Sequence, residues 1–150
     1  MRNGVGIIMK GILAAIAAGG FITLQGAANS VIGEAIGTWQ AAALTQLTGF
    51  VGALALALLL RGLQPRTLLA VKPVYATGGA LGALIIFGNV TAIHQIGITL
   101  TTSLVLLGQL ALTFLIEWRG WLGSKRISVG PAQAAGFALM AGGVLLLAIG

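Results

Sequence analysis

The chain has no cysteine, so disulfides and thiolate metal sites are closed to it. Its single histidine leaves no zinc constellation. No nucleophile–base pair and no cluster of metal-binding side chains stands out, so an enzyme is not expected and no cofactor is called for. Charged residues make up only 7% of the 150, against about 25% in soluble domains, and no soluble domain fits the composition. Acids are the scarcest charge: Glu34 and Glu117 face eight Lys and Arg.

What is abundant is apolar. Hydrophobic residues make up 58% and mean hydropathy is +1.07, the signature of an integral membrane protein in a lipid bilayer. The 24 glycines then signal close approach of helices, not flexibility. A net charge of +6 would suggest nucleic acid in a soluble chain. Here the bases stand at the ends of apolar segments, so they set topology and no nucleic-acid partner is expected.

Five segments are long and apolar enough to span, giving an all-α five-helix bundle as one domain over 1–150. They cover about 11–30, 39–60, 74–93, 98–116 and 131–149. Arg2 and Lys10 before an apolar run could imitate a signal peptide, but further spanning segments follow, and the first helix is read as an uncut insertion signal. The short connections are Val31–Thr38 and His94–Gly97. Arg61, Arg66 and Lys72 lie in one long connection, and Arg119, Lys125 and Arg126 in the other. With five spans, every Lys and Arg falls on one side. The positive-inside rule makes that side cytoplasmic, with the N-terminus inside and the C-terminus outside.

Polar groups within the spans are the candidate site. Thr99, Thr102, Leu106, Gln109 and Thr113 share one helical face, with Ser103 beside them. Such a stripe should face other helices or a water-filled cavity. Gln25 and Asn29 are spaced i and i+4 in the first segment, Thr45 and Gln46 lie in the second, and Asn89 near the end of the third. Each amide has two readings, an interhelical bond or a cavity lining. Glu34 reads as a loop acid, or as a residue one turn further out if the first helix continues past Gly33. His94 reads as a solvated boundary residue. Gly78-x-x-x-Gly82 has the spacing that permits tight helix contact; in the last segment Ala135, Ala138 or Leu139, Gly142 and Leu146 form a small, apolar face, and Gly136 and Gly142 are the helix-packing glycines expected there. Trp118 and Trp121 read as an interface belt with Arg119 as an anchor, and Glu117 as a partner for a nearby base.

A family resemblance rests on several runs. Gln25-Gly-Ala-Ala-Asn29 with Gly33, Gly37 and Gly49 resembles the first two helices of the YdcZ-like inner-membrane exporters, members of the drug/metabolite transporter superfamily. Gly78-Gly79-Ala80-Leu81-Gly82 resembles the start of their third helix. Gly108-Gln109, Glu117, Gly120, Gly123 and Lys125-Arg126-Ile127-Ser128 resemble the fourth helix and following loop, and Gly136 and Gly143-Val144 the fifth. The family often has Asp where this chain has Glu117. The resemblance implies a half-transporter that works as one of two halves. It implies no substrate and no catalytic residue.

Two five-helix units joined directly would lie in opposite orientations, the inverted-repeat plan of many secondary transporters. The charge bias gives this chain one orientation, so an inverted partner would be a different protein of opposite bias. The resemblance favours that arrangement, while the charges alone permit a parallel homodimer. The expectation is a small-molecule exporter working by alternating access, its cavity lined by Gln25, Asn29, Gln46, Asn89, Thr102 and Gln109 and suited to a small polar solute. The alternative is a non-transporting scaffold or accessory subunit packing through glycine-rich faces. A passive pore would need a charged ring that the spans lack.

Overall fold

The computed structural model describes residues 2–60, 77–123, 126 and 130–150. Arg61, Arg66, Lys72, Pro73, Tyr75 and Lys125, which entered the topology and third-helix arguments, lie outside the described residues. Among the described residues the structure is helical throughout, with no strand. Four helices are long and apolar enough to cross a membrane. They are α1 (Arg2–Ile36), α2 (Thr38–Leu59), α3 (Gly78–Arg119) and α4 (Pro131–Ile149). A 3-10 turn, Trp121–Gly123, follows α3.

Two boundaries differ from the sequence expectation. The connection expected at Val31–Thr38 shrinks to Gly37 alone. Gly37 has φ 96° and ψ 149°, a backbone conformation that any Cβ would strain. The separate helices expected at 74–93 and 98–116 form one 42-residue element, α3, interrupted at Gly97 with φ 77° and ψ 168°. The described residues thus present four helices of spanning length, the third kinked at Gly97 where two helical stretches meet. Both breaks are single glycines because the conformation is nearly closed to other residues.

The chain divides into two compact units, Met1–His94 and Gln95–Gly150. In the first, the Thr45 hydroxyl hydrogen-bonds the Asn29 side-chain oxygen. These residues lie equally far from Gly37, so α1 and α2 form an antiparallel hairpin. The first part of α3 then runs antiparallel to α2. Gln46 meets Gly79 at one end, and Trp39 stacks on Phe87 at the other, ring centres 4.1 Å apart. The small core holds Ala41, Ala42, Val90 and Ile93. Alanine and glycine at the contacts let the helices approach closely.

In the second unit, Phe114 meets Phe137 edge-on at 6.1 Å, while Ser103 and Leu106 share a cleft with Met140, Gly143, Val144 and Leu147. The rest of α3 and α4 are therefore antiparallel. Pro131 occupies the first turn of α4, where its missing N–H costs nothing. The Gln133 side-chain oxygen accepts the Gly130 N–H at 2.6 Å. Gly120, with φ 67°, stops α3. The Arg119 guanidinium lies 5.9 Å from the Trp118 ring and 5.1 Å from that of Trp121, and the Arg126 Nε donates to the Trp118 carbonyl at 3.0 Å. Among the described residues Glu117 forms no ion pair with Arg119 or Arg126, and Lys125, the other nearby base, lies outside them.

Large apolar side chains such as Ile16, Phe21, Phe50, Leu84 and Leu139 are exposed on the helices. Water would make such a surface an aggregation hazard; hydrocarbon is its natural solvent.

Candidate functional site

In the first unit, polar side chains converge near the Gly37 end of the three-helix packing. Asn29 and Ser30 are buried on α1. With Thr45 donating to the Asn29 oxygen, a hydroxyl and an amide oxygen on successive helices satisfy each other in an apolar surround. Asn89 approaches the same stretch of α1, since a Cβ at Gly26 would lie 3.6 Å from its Nδ2. No hydrogen bond to the Asn89 amide occurs among the described residues, so it keeps donor and acceptor capacity.

One turn further along, α1 and α3 come closer still. A Cβ at Gly33 would sit 2.8 Å from Val90 Cγ1 and 3.4 Å from His94 Cε1. The absent side chain lets the His94 Nε2 reach the Ser30 carbonyl at 3.0 Å. Glu34 Oε1 lies 3.8 Å from the same nitrogen. Because α1 continues past Gly33, Glu34 is a helical residue and not a loop acid. Sequence reading treated Glu34 and His94 separately, and no spacing rule joins residues so far apart in the chain.

Gln46 binds at the opposite end of the packing. Its Nε2 donates to the Gly79 carbonyl at 2.6 Å, and a Cβ at Gly82 would lie 2.9 Å from that nitrogen. Gly82 thus makes room for the amide. Among the described residues a Cβ at Gly78 would meet nothing within 4 Å, and the same holds at Gly136 and Gly142. The two glycines of the Gly78-x-x-x-Gly82 motif are therefore unequal. Gly82→Leu is expected to destabilise the protein by about 1–3 kcal/mol through overpacking, and Gly78→Leu to stay within about 0.5 kcal/mol. Thermal denaturation of the two purified variants checks this; equal losses would contradict it.

Gln25 is exposed and has no side-chain partner among the described residues. In the second unit, Gln109 is likewise exposed and unpartnered. The hydroxyls of its stripe fold back onto their own helix: Thr102 to the Ile98 carbonyl, Ser103 to Thr99 and Thr113 to Gln109. Such bonds silence a hydroxyl without a second helix.

Thr101 was not singled out from sequence, yet it is 1% exposed and its hydroxyl has no partner. The reason lies four residues back. Thr102 and Ser103 each find a helical carbonyl at i−4, whereas the residue at i−4 from Thr101 is Gly97, whose ψ of 168° turns its carbonyl away from the helical direction. A glycine four residues before a threonine was the available signal.

The arrangement offers amides, hydroxyls and one imidazole–carboxylate pair to a polar guest. Among the described residues no group of three His, Cys, Asp or Glu gathers to hold a metal. A family model described as "Putative inner membrane exporter, YdcZ" matches residues 11–146. No curated protein and no solved structure matches the chain.

Proposed function

The chain belongs to the YdcZ inner-membrane exporter family, and from that premise we propose that it is one subunit of a small-molecule secondary transporter of the drug/metabolite transporter superfamily. The family match is the observation that carries the export reading. The subunit works as a five-span half, paired with a second five-span unit, by alternating access. The span count is supported by α3. Its 42 residues would extend about 63 Å as a helix, twice the roughly 30 Å of a bilayer core, and Gly97 breaks it near the middle. Two spans joined at Gly97 would restore an odd number, and the charge bias then favours the N-terminus and both basic connections in the cytoplasm and the C-terminus outside. An inverted partner of opposite charge bias is favoured over a parallel homodimer. The guest is a small polar solute; the amides of Asn89 and Gln25 in the first unit have no protein partner among the described residues and are free to meet it, and in the second unit the same is true of Gln109.

A specific observation favours the second reading, an accessory scaffold. Asn29 and Gln46 are already bonded to Thr45 and to the Gly79 carbonyl, as interhelical glue would be.

The absence of native cysteine gives a test that needs no substrate. Single cysteines at Lys125 and Gly150 are expected to react with an impermeant thiol reagent from opposite sides only. Cysteines at Asn89 and Gln109 are expected to react from either side, as a cavity that alternates requires. Labelling of both terminal markers from both sides would overturn the single orientation. Labelling at Asn89 and Gln109 from one side only, or not at all, would favour the scaffold.

A further inference from the structure

We infer that Ser30, Glu34 and His94 form a proton-binding site, and that proton uptake there fastens α1 to α3 beside Gly37. The geometry fixes the chemistry. A carbonyl oxygen only accepts, so the His94 Nε2, 3.0 Å from the Ser30 carbonyl, carries the ring hydrogen in the neutral form. The lone pair is then on Nδ1, which has no hydrogen-bond partner among the described residues. A hydronium ion of the solvent gives its proton to Nδ1: one O–H bond breaks, one N–H bond forms and a water molecule leaves. The ring becomes a cation whose Nε2–H still points at Ser30, with Glu34 Oε1 3.8 Å away.

Both contacts strengthen with that charge. A hydrogen bond from a charged donor is roughly twice as strong as a neutral one. The imidazolium also gains a carboxylate. Glu34 is 71% exposed, so the ion pair itself contributes a few-fold at most. Together they are expected to shift the fastened population about three- to tenfold.

Little else competes at the site. Helix α2 has no ionisable residue, and α3 has none besides His94 until Glu117. On α1 the nearest base is Lys10, about 36 Å along the helix from Glu34 and well beyond the screening length of physiological salt. His94 is the chain's one histidine, so a proton taken up by an imidazole can only be its own. Gly33 is the positioning residue, since a Cβ there would clash with Val90 at 2.8 Å and abut the His94 ring at 3.4 Å. None of this depends on what the protein transports, or on whether it transports.

The single histidine makes the test unambiguous. In the purified full chain with nitrogen-labelled histidine, the neutral ring is expected to show the hydrogen on Nε2 by magnetic resonance; an Nδ1–H ring would overturn the site. Spin labels on cysteines placed at Val31 and Gln95 then report separation of the two segments. Lowering the pH from about 8 to about 5 is expected to shift the parent towards the shorter separation. His94→Gln, which keeps a donor for Ser30 but does not titrate, should abolish the response, and Glu34→Gln should reduce it. A parent that ignores pH, or a His94→Gln protein that keeps the full response, would overturn the inference. If His94→Gln fails to fold, an undiminished response in Glu34→Gln does so instead.

Discussion

Gly33→Ala is expected to destabilise the protein by about 1–3 kcal/mol, and Gly33→Leu to remove the folded protein from detergent extracts. Two effects oppose each other in the alanine variant. Replacing a helical glycine removes backbone freedom from the unfolded chain and favours the helix by up to about 1 kcal/mol. Against that, the new Cβ would stand 2.8 Å from Val90 Cγ1. Val90 cannot yield cheaply: it is fully buried, and β-branching restricts its rotamers. The clash therefore wins. Gly26→Ala is the internal control on the same helix. Its Cβ would meet Asn89 and Ile93 at 3.6 Å, ordinary contact, so that variant should be neutral or slightly more stable. Thermal melts of the two variants decide the matter, and a Gly33→Ala protein as stable as Gly26→Ala would remove the tight α1–α3 contact from the account.

Gly97→Ala is expected to cost a further, independent 1–3 kcal/mol, roughly, for a different reason. Nothing lies within 4 Å of where its Cβ would be, so no neighbour is displaced. The cost is in the backbone: φ 77° with ψ 168° belongs to a region that only glycine occupies freely. Asparagine, which tolerates the left-handed helical region, should not rescue it, because ψ is far from that region. Gly108→Ala separates this from generic glycine replacement, since Gly108 is helical with open space around it and should gain or hold stability. A Gly97→Ala protein indistinguishable from the parent in its melt and in proteolysis would show that α3 has no need of the break.

The apolar segments and their approximate ends were legible because hydrophobicity over about twenty residues is a local property. The exit from α1 was not. Gly33 and Gly37 look alike as helix breakers, yet only Gly37 leaves the helix. Gly33 is helical and glycine because Val90 and His94 come close, a fact that exists only after α3 packs. Periodicity groups Thr102 with Gln109, but it cannot tell a hydroxyl bonded to its own helix from one that needs a neighbour. Thr101 was overlooked because its isolation depends on a dihedral four residues away. Asn29 was chosen from its spacing with Gln25, and it is the member of that pair with a partner across the hairpin. Glu34 and His94 each gave a weak local signal, and their proximity is tertiary.

The bond between Asn29 and Thr45, closed around Gly37, bears on biosynthesis. Both partners lie within the first sixty residues, and α2 is complete at Leu59. A contact between residues so near in the chain costs little loop entropy and forms early. The hairpin can therefore close at the translocon while the ribosome is still making α3, hiding two side chains that lipid would otherwise resist. Later segments then dock onto a prefolded pair, and a variant lacking Thr45 would be delayed at insertion before any defect reached the finished protein.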